Sequence, residues 1–185
     1  MVRHEHLLNP AKTLLMVIDL QEAFVGHIPG MDAIIERSRI LIEGAKLLGV
    51  PIVATEQYPQ GLGSTVEPII KALGEVRRHA KTAFSCVGDD EVGRYLLSSG
   101  RKQILLAGIE THVCVVQTAL DAIASGSQPF VCADAVGSRK AIDHEVGLSR
   151  LRQHGAIVTT VEGALMEMAR CSTHPVFKEI SQLIK

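Results

Sequence analysis

Thr13 to Leu20 reads TLLMVIDL, a continuous apolar run with β-branched members that ends in an acid. Such a run describes a strand buried on both faces, and that kind of strand is the mark of a parallel sheet. Helices must then cover the sheet, and Met31 to Leu48 supplies the first of them. Ile34, Ile35, Ile40, Leu41, Ala45 and Leu48 form its inner stripe, Gly49 ends it, and Pro51 opens the next short strand, PIVAT.

The same alternation continues to the end of the chain. Glu56 to Thr65, EQYPQGLGST, is a loop rich in Gly, Pro and Gln, followed by a short helix over Glu67 to Leu73. A weaker third strand lies within Glu75 to Ser85 and runs into Lys81. Asp89 to Ser99 is a helix closed by Gly100, Lys102 to Ala107 the fourth strand and Thr111 to Ser125 its helix. Pro129 to Ala133 is the fifth strand, Asp134 to Arg139 a turn, Ile142 to His154 a helix and Ala156 to Thr159 the sixth strand. Val161 to Ala169 and Pro175 to Ile184 read as closing helices. This rhythm predicts an α/β fold with three layers, α/β/α, around a mostly parallel six-stranded sheet of Rossmann-like order 3-2-1-4-5-6. No repeat or linker divides it, so one domain over residues 1–185 is expected.

Composition narrows the partners. A net charge of −1 argues against nucleic acid or an anionic membrane as the main partner. The opening MVRHEHLLNPAK has no apolar h-region, and no apolar run approaches membrane-spanning length. Cys86, Cys114, Cys132 and Cys171 lie far apart with no CxxC pair, which fits reduced thiols in a cytoplasmic protein.

In a doubly wound sheet, sites form outside the carboxyl ends of the strands where the strand order reverses. With the order 3-2-1-4-5-6, strands one and four meet there. Asp19 ends the first, and Cys114 lies in the first turn of the helix after the fourth. A thiol among the unpaired N–H groups of a helix start is set up for a lowered pKa and nucleophilic attack. The plainer reading of Cys114 is a small hydrophobe in a buried helix, and of Asp19 a cap or turn residue. Side by side, the aspartate would accept the thiol proton and return it to a leaving group. A lone carboxylate raises a thiol pKa, so a cation is needed nearby, and Lys81 at the end of strand three is the candidate.

VIDLQEAF (Val17 to Phe24), HAKTAFS (His79 to Ser85) and LAGIETHVCV (Leu106 to Val115) together resemble the isochorismatase-like cysteine hydrolase superfamily, over essentially the whole chain. TEQYPQGLGST and the tail HPVFKEISQLIK further resemble the isochorismatase domain-containing branch. The resemblance implies a catalytic triad of Asp19, Lys81 and Cys114. It also implies a cis peptide between Ile109 and Glu110, and an oxyanion hole made by the backbone N–H groups of Glu110 and Cys114. The implied activity is hydrolysis of a small amide-like C–N bond through a thioester at Cys114.

Nicotinamidases of this superfamily hold a metal through an Asp-x-His pair and a second histidine after strand two. Here no histidine occurs between His27 and His79, so no metal and no other cofactor is expected. Gln21, Phe24, Tyr58, Phe84 and His112 are candidates for lining the pocket, each with core packing or solvent exposure as the plainer role. The expected partners are a small-molecule substrate and, as is common in the family, further copies of the same chain. Two alternatives stand beside the hydrolase: a non-catalytic binding or scaffold protein on the same fold, and a thiol redox sensor.

Overall fold

The computed structural model describes residues 3–185. Six strands, β1 (Thr13–Ile18), β2 (Ile52–Gln57), β3 (Arg78–Lys81), β4 (Gln103–Ile109), β5 (Gln128–Gly137) and β6 (Ile157–Thr159), form one parallel sheet in the order β3-β2-β1-β4-β5-β6. The helices are α1 (Met31–Leu47), α2 (Pro59–Leu62), α3 (Glu67–Leu73), α4 (Asp90–Ser98), α5 (Val116–Ala124), α6 (Ala141–Gln153), α7 (Val161–Ala169) and α8 (Phe177–Leu183).

Every residue of β1 and β4 is buried, because successive side chains go to opposite faces and both faces are covered. Leu15 and Val17 join a core with Ile34 and Leu41 of α1, Leu165 of α7 and Ile180 of α8. Leu14, Met16 and Ile18 point the other way, onto Val92 and Leu96 of α4, Val116 and Ala119 of α5 and Leu148 of α6. The sheet is therefore the middle layer of three, and β1 and β4 meet at its centre, in register from Thr13 with Gln103 to Ile18 with Gly108.

Three elements differ from the sequence reading. The turn expected at Asp134 to Arg139 is mostly strand. β5 runs on to Gly137 through an irregularity, pairing Val131 with Leu106 but Val136 with Gly108. Asp134 reads as a turn former, yet its carboxylate accepts the Val161 N–H at 2.9 Å and so caps α7. The loop after β2 contains the short helix α2. The segment Thr111–Val115 is a π-helical turn, and α5 begins only at Val116.

β4 also continues past Gly108 to Ile109. Gly108 has φ 117°, and a Cβ there would overlap the Ile18 carbonyl oxygen. Only glycine serves both the backbone conformation and the close approach of β4 to β1. Gly108→Ala is expected to cost about 3 kcal/mol or more and to lower the thermal midpoint by roughly 6–12 °C, read by calorimetry.

Candidate active site

Asp19 leaves β1 with a left-handed backbone, φ 52°, and its N–H donates to the Thr55 carbonyl at 3.1 Å. That turn aims the carboxylate across the ends of the strands. Oδ1 accepts from Thr55 Oγ1 at 2.7 Å, and Oδ2 accepts from Lys81 Nζ at 2.7 Å. Lys81 closes β3, which is separated from β1 by β2, so a long side chain is needed to span the gap. Its Nζ also donates to Gln57 Oε1 at 2.6 Å and to the carbonyls of Ala83 and Phe84 at 3.2 and 3.3 Å. The same nitrogen lies 3.8 Å from Cys114 Sγ.

Asp19, Lys81 and Cys114 are all buried. Burial works against the charge on Lys81, but Asp19 beside it outweighs that penalty and raises the ammonium pKa. The thiol behaves differently from the sequence expectation of a lowered value. Burial first, then the Asp19 carboxylate, push Cys114 up to about 12, with Lys81 opposing them. Burial and the nearby carboxylate thus favour the protonated thiol at Cys114. The polarity of a helix start does not overcome a dry site that already contains an anion.

The peptide bond between Ile109 and Glu110 is cis. The Glu110 carbonyl accepts from the N–H groups of Val113 and Val115 at 3.1 and 3.2 Å, which shapes the turn carrying Cys114. The Glu110 N–H itself has no protein acceptor among the described residues. The turn is pinned to its surroundings by Thr111 Oγ1 against His144 Nδ1 at 2.9 Å and by His112 Nδ1 against Ser138 Oγ at 3.0 Å.

Asp19 and Cys114 open into a cavity of about 310 Å³. Phe24, Leu62, Phe84, Ile109 and Val113 make its apolar wall, and Gln57, Glu110 and Arg139 add polar groups. Of the candidates for pocket lining, Phe24 and Phe84 are there. Gln21, Tyr58 and His112 are not. Gln21 is fully buried and works as a strut: its Nε2 donates to the carbonyls of Gln57 and Gly63, and its Oε1 accepts the Gln57 N–H at 2.8 Å. Tyr58 is 55% exposed and lies over Gly61 instead. His112 sits on the far side of the turn, facing Ser138 and Asp143.

Sequence reasoning missed Gln57, Leu62, Val113 and Arg139 as pocket residues. Only Val113, beside the cysteine, carried a positional signal. The two polar residues that end β2 are both engaged, Glu56 accepting from Thr65 N and Oγ1 at 2.8 and 2.7 Å and Gln57 holding Lys81. Among the described residues, no three His, Cys, Asp or Glu side chains are grouped so that they could hold a metal ion. None of the described helices is long and apolar enough to cross a membrane.

Residues 13–163 match the isochorismatase domain family. Isochorismatase domain-containing protein 2 of Bos taurus is 42% identical over 177 residues, covering 95% of this chain and 84% of that protein. Isochorismatase domain-containing protein 1 of Danio rerio is 40% identical over 96% of this chain, which spans only 62% of that longer relative. Among solved structures, the MAR1 ribonuclease of Caenorhabditis elegans superposes with a TM-score of 0.91 at 39% identity, over 96% of this chain and 91% of that one.

Proposed function

The chain belongs to the isochorismatase family, a family of hydrolases, and we propose that it is a metal-independent cysteine hydrolase acting on a small amide-like substrate through a thioester. The observation that carries this reading is one ammonium touching both other members of a triad: Lys81 Nζ is 2.7 Å from Asp19 Oδ2 and 3.8 Å from Cys114 Sγ, and Asp19 and Cys114 line the cavity.

In this reading the Cys114 sulfur attacks the carbonyl carbon as its proton passes to Asp19. The oxyanion forms against the N–H groups of Glu110 and Cys114. The C–N bond then breaks, and the departing amine takes the proton from Asp19. Water attacks the thioester, giving its proton to Asp19, and the acid leaves as the thiol is restored. Lys81 keeps its charge throughout and offsets the negative charge that moves between sulfur and carboxylate. The raised thiol pKa suits this sequence, since proton and nucleophile are released together only when an electrophile is in place.

Metal independence rests on the donor set, because Glu56 and Gln57 already hold the loop and the lysine. The nematode relative is described as a ribonuclease. For this chain a net charge of −1 and a cavity of about 310 Å³ favour a small molecule over a polynucleotide.

A library of small amides and imides, followed by ammonia release, tests the proposal. Turnover should fall by about 10³-fold or more in Cys114→Ala, and intact-mass spectrometry of the wild type should trap an acyl adduct on Cys114. Turnover surviving Cys114→Ala would remove the thiol from the chemistry. Cleavage of RNA that depends on Cys114, with no amide turned over, would replace the substrate class.

A further inference from the structure

Glu110 is an unexpected neighbour for a developing oxyanion. Glu110 lines the cavity and its N–H has no protein acceptor among the described residues, yet the same residue carries a carboxylate and is only 6% exposed. A carboxylate on the residue whose N–H would bind the oxyanion, largely shielded from water, opposes the charge build-up that the N–H is meant to stabilise. Arg139 answers that charge. Glu110 Oε1 accepts from Arg139 Nε at 2.9 Å, and Oε2 accepts from the Arg139 backbone N–H at 3.0 Å. The Glu110 carbonyl is meanwhile held by Val113 and Val115 of the π-helical turn. Glu110 is therefore fixed at both its carboxylate and its carbonyl, with its N–H left for a ligand.

Building on the cysteine hydrolase reading, we propose that Arg139 is a positioning residue for the oxyanion hole. Its guanidinium neutralises the Glu110 carboxylate while the oxyanion forms, and it fixes the peptide that donates to that oxyanion. The arginine acts through Glu110 and not on the reacting atoms. The Arg139 side chain is 61% exposed and packs little, so its main contribution is to compensate the buried carboxylate.

The test uses the full chain with p-nitrophenyl acetate, an activated ester whose acyl transfer to Cys114 passes through the same kind of oxyanion and releases p-nitrophenolate. Arg139→Gln is expected to slow acylation by about 10- to 100-fold, with KM changed by less than about threefold. Arg139→Lys should retain part of the rate. Adding Glu110→Gln to Arg139→Gln should recover about tenfold of the loss, because the uncompensated charge is then gone while an acceptor for the backbone N–H remains. Thermal midpoints of the single variants check that the fold persists.

An unchanged rate in Arg139→Gln overturns the proposal. So does a loss carried in KM, which would make Arg139 a substrate-gripping residue. A double variant that recovers nothing overturns it as well, since a merely structural arginine gives no such rescue. No Cys114-dependent release by the wild type would sink the hydrolase reading and this one together. Release that depends on Cys114 but ignores Arg139 would sink this one alone.

Discussion

Asp19→Asn is expected to make Cys114 more reactive towards iodoacetamide while abolishing turnover. In the wild type, burial and the carboxylate hold the thiol up at about 12, against an ordinary value near 9, and Lys81 pulls the other way. The asparagine removes the repulsion and leaves the ammonium in place. The thiol pKa therefore falls. Alkylation at pH 8 should quicken about three- to fourfold for each unit of that fall, since the gain in thiolate is partly offset by lower intrinsic nucleophilicity. Turnover should drop by about 10²–10⁴, because no group remains to carry the proton to the amine. Cys171 is exposed and labels readily, so rates are read at Cys114 by peptide mapping in a Cys171→Ser background. Wild-type labelling should climb with pH as far as about 12. A slower-labelling Asp19→Asn would show that the carboxylate does not hold the proton on sulfur.

Lys81→Met should act on the same thiol with the opposite sign. Removing the ammonium leaves burial and Asp19 unopposed, so the pKa rises further and alkylation slows at every pH below it. The second consequence is on stability. Lys81 and Asp19 have side chains 0% and 2% exposed, and a buried ion pair broken from one side leaves a charge with nothing to balance it, at about 3–5 kcal/mol. The thermal midpoint should fall by roughly 6–20 °C. The opposite alkylation shifts, alongside a shared loss of turnover, separate the two residues' roles in a way that activity alone cannot. A Lys81→Met protein as stable as the wild type would mean that the pair is more hydrated than its burial indicates.

The sheet order and the meeting of Asp19 with Cys114 were legible because unbroken apolar runs ending in polar residues mark central parallel strands. Lys81 was legible only as the cation the chemistry needed. Other features lay beyond the reach of spacing. Apolar positions after Thr111 fit a π-helical turn and an α-helical one alike over so few residues. Asp134 looks like a turn former whether it starts a loop or caps a distant helix from within a strand. The thiol's protonation was misread because position along the chain reveals a helix start, whereas the dryness of the site and the reach of Asp19 appear only in three dimensions. Gln57 enters the site from the last position of β2 by side-chain reach, and Arg139 from the loop between β5 and α6, neither of which leaves a periodic trace.

The pairing of Thr13 with Gln103 and of Ile18 with Gly108 also bears on how the site comes into being. During synthesis β1 emerges early, apolar on both faces, yet one of its edges has no partner until β4 has been made. A contact so distant along the chain carries a loop-closure cost that helices and neighbouring strands do not. Until it forms, the strand leading to Asp19 is an open, sticky edge of the kind on which nascent chains misassociate. The strand that delivers the proton acceptor is thus also the one most in need of protection on the ribosome.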